Sequence, residues 1–204
     1  MNGARPAAYV FGISFVASVG GFLFGYDLAI MGGANVYLKE QFRLSDAVFG
    51  FTTASAVLGC STGPVLGAWL CDRIGRRGTL IASSTLLAGG ALLTALPRDI
   101  VTFNVFRIIG GVGVGLCSIA SPMYIAEITP GSVRGRFVSL NQLTIVIGIL
   151  AAQIINWRIA RPVAADATAA DLVASWNGQM GWRWMFYACT IPAALFFVLT
   201  FLVL

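Results

Sequence analysis

The sequence predicts an all-α membrane protein with six transmembrane helices, on three observations. First, 58% of its 204 residues are hydrophobic and only 10% are charged, giving a mean hydropathy of +0.85. A soluble domain carries about 25% charged residues because its whole surface faces water, and this chain has too few to coat one. Second, the apolar residues fall into six runs, at about 7–30, 47–70, 79–97, 101–125, 137–157 and 183–204. Each is near the ~20 residues that a helix needs to cross a bilayer. Third, the runs are continuous rather than alternating, which excludes the strands of an outer-membrane barrel. The six spans form one transmembrane domain over residues 1–204.

Composition also narrows the function. The net charge of +5 is spread over several loops, as membrane orientation requires, and not gathered into the stripe that a nucleic-acid partner needs. Cys60, Cys71, Cys117 and Cys189 lie in or at the ends of apolar runs without metal-ligand spacing, so no metal and no disulfide is expected. There is no histidine. Ser-His and Cys-His dyads and His-ligated cofactors are therefore impossible. An aspartyl enzyme needs a second carboxylate inside a span, and none is there; no enzymatic activity and no cofactor is expected.

Span one begins after Arg5 like the core of a signal peptide, but its apolar run continues to Ile30, about twice the length of such a core. It is read as a retained span. Gly12, Gly20, Gly21 and Gly25 give it small surfaces for close helix contact. Asp27, near its end, is a carboxylate at bilayer depth, where a charge costs at least ~2.5 kcal/mol and persists only with a partner or an aqueous cavity. Residues 34–46 make a mixed-charge connection, ending in Ser45-Asp46, a cap for span two. Span two repeats Gly59-x3-Gly63-x3-Gly67, a face for packing. The loop Asp72-Arg73-Ile74-Gly75-Arg76-Arg77 follows, with Gly75 placed for a sharp turn and the arginines able to reach helix ends.

Span three ends at Pro97, and the short turn Arg98-Asp99 makes spans three and four antiparallel neighbours. Span four carries Arg107 and then a Gly-x-Gly-x-Gly run. A dinucleotide loop would need a preceding strand, so these glycines are contact surface. Asp27 and Arg107 are the opposite charges that fall well inside spans at matching ends, and each is far cheaper facing the other. A second basic loop reaches from Glu127 to Arg134 and Arg136, and Glu127 and Arg134 are placed to join the residues 72–77 in one ion-pair network. In span five, Gln142, Ile145, Ile149, Gln153 and Asn156 recur on one face. Such amides either bond to neighbouring helices or line a wet cavity that reads hydroxyl groups. Residues 158–182 form an alanine-rich loop with Asp166 and Asp171, and Trp176, Trp182 and Trp184 mark an interfacial aromatic belt before span six. Arg107 aside, Lys and Arg balance at six on each side, and only the tighter packing of the inner set favours a cytoplasmic N-terminus.

Several of these segments together resemble the sugar porter family of the major facilitator superfamily, and in particular its bacterial xylose and other sugar–proton symporters. They are Gly21-Phe22-Leu23-Phe24-Gly25-Tyr26-Asp27, Asp72 to Arg77, Arg107-Ile108-Ile109-Gly110-Gly111, Pro122 to Glu127 with Arg134-Gly135, and Asn141-Gln142. The resemblance implies the N-terminal half of a twelve-helix transporter in the cell membrane, built as two three-helix inverted repeats with a cytoplasmic N-terminus. The partners it implies are a monosaccharide, a proton, the lipid bilayer and the C-terminal six-helix half.

It also implies roles: Asp27 as the proton-coupling carboxylate with Arg107 as its partner, and Gln142, Phe24, Ile145 and Ile149 at the sugar. Asp72, Arg73, Gly75, Arg76, Arg77, Glu127 and Arg134 match its cytoplasmic gating network. Facilitative relatives generally lack an acid at the position of Asp27, so symport is favoured over uniport. Two residues depart from the pattern: Ala68 replaces a loop-motif glycine, and Ile149 stands where close xylose symporters carry glutamine. The other outcomes are half of a facilitative uniporter and a fragment that packs in the membrane without transporting.

Overall fold

A computed structural model describes residues 7–164 and 167–203, which contain helices and their connections and no strand. Arg5, placed before span one, and Asp166, placed in the loop 158–182, lie outside the described residues. The helices are α1 (Ala7–Gln41), α2 (Asp46–Arg73), α3 (Gly75–Thr94), α4 (Ile100–Ile128), α5 (Arg134–Ile159), α6 (Ala169–Ala174) and α7 (Trp182–Val203). A π-helical turn, Asn177–Gly181, leads directly into α7.

Local chemistry sets most of the boundaries. α1 continues to Gln41, through much of the stretch expected to be a connection, and Lys39 near its end pairs with Asp46 at 2.8 Å. Ser45 caps α2 as expected, accepting from the Val48 amide. α2 and α3 are separated by Ile74 alone, and Gly75 takes φ +76, a conformation that favours glycine. α3 thus starts four residues before its expected apolar run. Asp99 caps α4, and the hydrogen bonds from Thr102 hold its carboxyl below the usual carboxylate range. In the expected loop 158–182, α6 forms on a capping box between Thr168 and Asp171, which lowers the Asp171 pKa in the same way.

Five segments are both long and apolar enough to cross a membrane: Gly12–Gln41, Asp46–Arg73, Ile100–Ile128, Arg134–Ile159 and Asn177–Leu202. The remaining long helix, α3, has 20 residues, about the ~30 Å of a bilayer core, but it is the more polar. Its polar groups are paired within the bundle. Thr79, Ser84 and Thr94 donate to carbonyls of their own helix, and Ser83 donates to Gly113 of α4 at 2.8 Å.

Small residues bring the helices together in a repeated pattern. In the pairing of α1 with α5, a Cβ on Gly25 would strike the carbonyl of Ile145, and one on Gly148 would strike that of Phe22. In the pairing of α4 with α2, a Cβ on Gly111 would strike the carbonyl of Ala56, and one on Gly59 that of Ile108. The shift that carries Phe22 onto Ile108 also carries Gly25 onto Gly111, and the shift from Ala56 to Ile145 carries Gly59 onto Gly148. The two crossings are images of each other. They relate α1 and α2 to α4 and α5, with α1 and α4 running in opposite directions, as an inverted repeat requires.

The aromatic belt is the expectation that changes most. Trp182 is fully buried and meets Phe42, Phe103 and Phe186 edge-on, so it belongs to the core between α1, α4 and α7. Trp184 remains exposed, and Trp176 lies under the Arg161 guanidinium. The loop before α7 is tied down by buried Asn177, which donates to Tyr37 Oη and to the Arg161 carbonyl and accepts from the Arg161 amide.

Candidate substrate and coupling site

The central interaction joins α1 to α4. Arg107 Nη1 donates to Asp27 Oδ1 at 2.6 Å, and Nη2 lies 3.5 Å from the Asp27 backbone carbonyl. The Arg107 side chain is 4% exposed and that of Asp27 17%. Phe186 of α7 sits below the guanidinium, 5.6 Å from Cζ to the ring centre, while Arg107 Nε is buried without a hydrogen-bond partner. Leu23, Leu87, Phe106 and Cys189 close around the pair and leave a cavity of about 10 Å³, room for no more than a water-sized guest. An ion pair enclosed this way cannot itself hold a sugar. The Asp27 carboxylate supplies the charge that repays the burial of Arg107.

A larger cavity, about 220 Å³, opens on another flank of α1. Its lining comes from three helices: Gly20, Gly21 and Phe24 of α1, Cys117, Ser118, Ser121 and Pro122 of α4, and Asn141, Gln142 and Ile145 of α5. The glycines let α4 and α5 close on α1 beside it, since a Cβ at Gly20 would collide with Cys117 Sγ and one at Gly21 would press on Asn141. Phe24, Gln142 and Ile145, three residues singled out from the sequence, therefore share one cavity. Ile149 is exposed on α5 and is not part of this lining. Gln153 is likewise exposed, whereas Asn156 is buried and donates to the Ile30 carbonyl, so the amides of α5 divide between the two readings. The cavity and the ion pair share α1 and α4, so a change in how these helices pair alters the cavity walls.

At the α2–α3 end, Arg76 Nε approaches Glu127 Oε1 to 2.8 Å. The N–H is not aimed at the oxygen, so the contact is electrostatic rather than a hydrogen bond; Nη1 donates to the Cys71 carbonyl at 3.2 Å. Arg73 stacks over Trp69. Asp72, Arg77 and Arg134 are exposed and make no ion pair among the described residues. Of the seven residues matched to a gating network, Arg76 and Glu127 are brought together as a pair.

Four neighbours of these sites were given no role at them from the sequence: Phe186 and Cys189 at the ion pair, and Ser118 and Asn141 at the cavity. The first two look like ordinary apolar positions of the last span. Nothing local distinguishes them until α7 packs against α4.

The residues 13–203 match the family model described as sugar (and other) transporter. The D-xylose-proton symporter of Escherichia coli (strain K12) is 37% identical over 229 aligned positions, covering 100% of this chain and 45% of the symporter. The glucose transport protein of Synechocystis sp. (strain ATCC 27184 / PCC 6803 / Kazusa) is 40% identical over 195 positions, 96% of this chain and 41% of that protein. Among solved structures, the major facilitator superfamily proton:xylose symporter XylE bound to 6-bromo-6-deoxy-D-glucose superimposes with a TM-score of 0.86 at 37% identity, over 97% of this chain and 45% of that one. The chain thus spans slightly less than half the length of the relatives it matches. With the family model covering nearly all of it and the fold of an N-terminal half reproduced, the chain belongs to the sugar transporter family of the major facilitator superfamily.

Proposed function

We propose that this chain is the N-terminal half of a proton-coupled monosaccharide transporter in the cell membrane, with its N-terminus in the cytoplasm. The observation that carries the reading is the enclosed Asp27–Arg107 pair, which joins the same two helices that wall the neighbouring cavity. A charge pair at this depth is costly to maintain and is the usual mark of an ion or proton pathway. The xylose and arabinose relatives described as proton symporters support a pentose or hexose as the substrate.

In the proposed cycle, a proton taken up by Asp27 neutralises its carboxylate and frees Arg107 Nη1. The contact between α1 and α4 loosens, and the walls of the cavity shift with it. Phe24, Gln142 and Ile145 present one side of the sugar site, and the Arg76–Glu127 contact at the opposite helix ends holds one state of the cycle closed. The proton biases the equilibrium only by its differential affinity for the two states. The other side of the site comes from a second six-helix half, as the length of the relatives implies.

The test is proton movement driven by sugar. Vesicles carrying the native protein, with no imposed gradient, are given D-xylose, L-arabinose or D-glucose while external pH is recorded. Symport gives alkalinisation with at least one of them. Sugar entry without any pH change would make the protein a uniporter and remove the coupling role of Asp27.

A further inference from the structure

The side chain of Asn141 has no part in the scheme so far. It is 5% exposed, it lines the 220 Å³ cavity, and its Oδ1 is buried without a hydrogen-bond partner. Its Oδ1 is packed against Gly21 of α1, and its Nδ2 makes no hydrogen bond among the described residues. Gly21, which faces it, has no side chain, and Thr144, one turn along, already serves the carbonyls of Ser18 and Asn141. With Oδ1 sealed against α1, Nδ2 is the free donor that a ligand in the cavity can meet.

The surrounding groups indicate the class of ligand. Ser118 Oγ donates to the Gly115 carbonyl at 2.7 Å and so has its lone pairs left to accept. Ser121 Oγ and Cys117 Sγ are engaged with each other at 3.1 Å. Gly20 and Gly21 belong to the lining and let α4 and α5 approach α1 closely along that wall. An amide and a hydroxyl together offer both a donor and an acceptor, the complement of an alcohol group. No charged side chain lines the cavity.

We infer that Asn141 is a second sugar-reading residue and that, with Ser118, it hydrogen-bonds one ring hydroxyl of the monosaccharide. This hydroxyl differs from the one met by Gln142, because successive residues on a helix project about 100° apart. Its presence and orientation then help to decide which monosaccharide is held. The inference rests on the transport function proposed above.

The experiment compares the transported sugar with its singly deoxygenated analogues in vesicles carrying the native protein, Asn141→Ala or Gln142→Ala. The expected result is a rise in KM of roughly three- to tenfold for Asn141→Ala, with kcat little changed. One analogue, which the native protein binds poorly, then loses its disadvantage in Asn141→Ala, and a different analogue does so in Gln142→Ala. If every analogue keeps its full disadvantage in Asn141→Ala, the residue is structural and the inference is overturned. Asn141→Ser and Asn141→Asp carry the same comparison should the alanine variant not reach the membrane. A native protein that takes up no monosaccharide would instead overturn the transport function itself.

Discussion

The Asp27–Arg107 pair makes a prediction in which two disruptive changes together do less harm than their sum. Asp27→Asn leaves a guanidinium that is 4% exposed facing a neutral amide, and Arg107→Gln leaves the carboxylate without its cation. With charge centres about 4 Å apart and an effective dielectric constant of about 20, the lost attraction is about 4 kcal/mol. Breaking one side of a buried pair costs about 3–5 kcal/mol, in agreement. The double variant, Asp27→Asn with Arg107→Gln, has no charge to leave unpaired, and its two amides are able to bond to each other. Its destabilisation is expected to fall short of the sum of the single variants by about 3 kcal/mol. Reversible unfolding in mixed micelles of increasing dodecyl sulfate content, followed by tryptophan fluorescence, measures all four corners of the cycle. Additivity within about 0.5 kcal/mol would show that the two residues are not energetically paired.

Three further outcomes follow from packing and local charge. Gly148→Ala and Gly89→Ala both gain up to about 1 kcal/mol of helix propensity, but the first places its methyl against the Phe22 carbonyl and the second meets open space. Thermal unfolding is expected to show a net loss for Gly148→Ala, about 1–3 kcal/mol from overpacking, and no loss for Gly89→Ala. Trp182→Ala empties a fully buried ring site and is expected to cost about 3–5 kcal/mol, whereas Trp184→Ala, at a site 51% exposed, costs far less; equal effects in the same assay would return Trp182 to the interface. The Asp171 carboxyl is held below the usual range by Thr168, so what it adds to α6 is present above the unfolded carboxylate pKa and is lost as pH falls through its folded value. Hydrogen exchange at residues 171–175 is expected to speed up in acid, after correction for intrinsic rates, and Asp171→Asn to abolish that dependence.

Much of the fold was legible because the signals were long-range in composition and short-range in chemistry. Apolar runs located every long helix, and the Ser45 cap and the Gly75 turn were readable from residue type alone. The glycines of α2 were rightly assigned to packing, though their partners, Ile108 and Gly115, required the fold. The Asp27–Arg107 pair was legible for a thermodynamic reason: charges at bilayer depth are so costly that two of opposite sign demand each other.

Interfacial assignment was weaker where it relied on residue type. Trp182 and Trp184 are two positions apart, yet one is core and the other exposed, because α7 turns its Trp182 face toward Phe103. The end of α1 was misjudged for a related reason. Lys39 and Glu40 looked like a loop, but helix continues beneath them as Leu38 stays fully buried. At the cavity, Gln142 was found through resemblance, while Asn141 beside it became distinctive only once its unpartnered amide nitrogen was seen. No sequence pattern records whether a hydrogen bond is satisfied.

The central claim is that Asp27 couples a proton to sugar movement across α1 and α4. Its most direct test is transport by Asp27→Asn in vesicles, measured both as accumulation against a sugar gradient driven by a pH gradient and as exchange of labelled for unlabelled sugar. Loss of accumulation with exchange retained is the expected result, because the sugar site stays intact while the proton site is gone. Accumulation at the native level by Asp27→Asn would contradict the account.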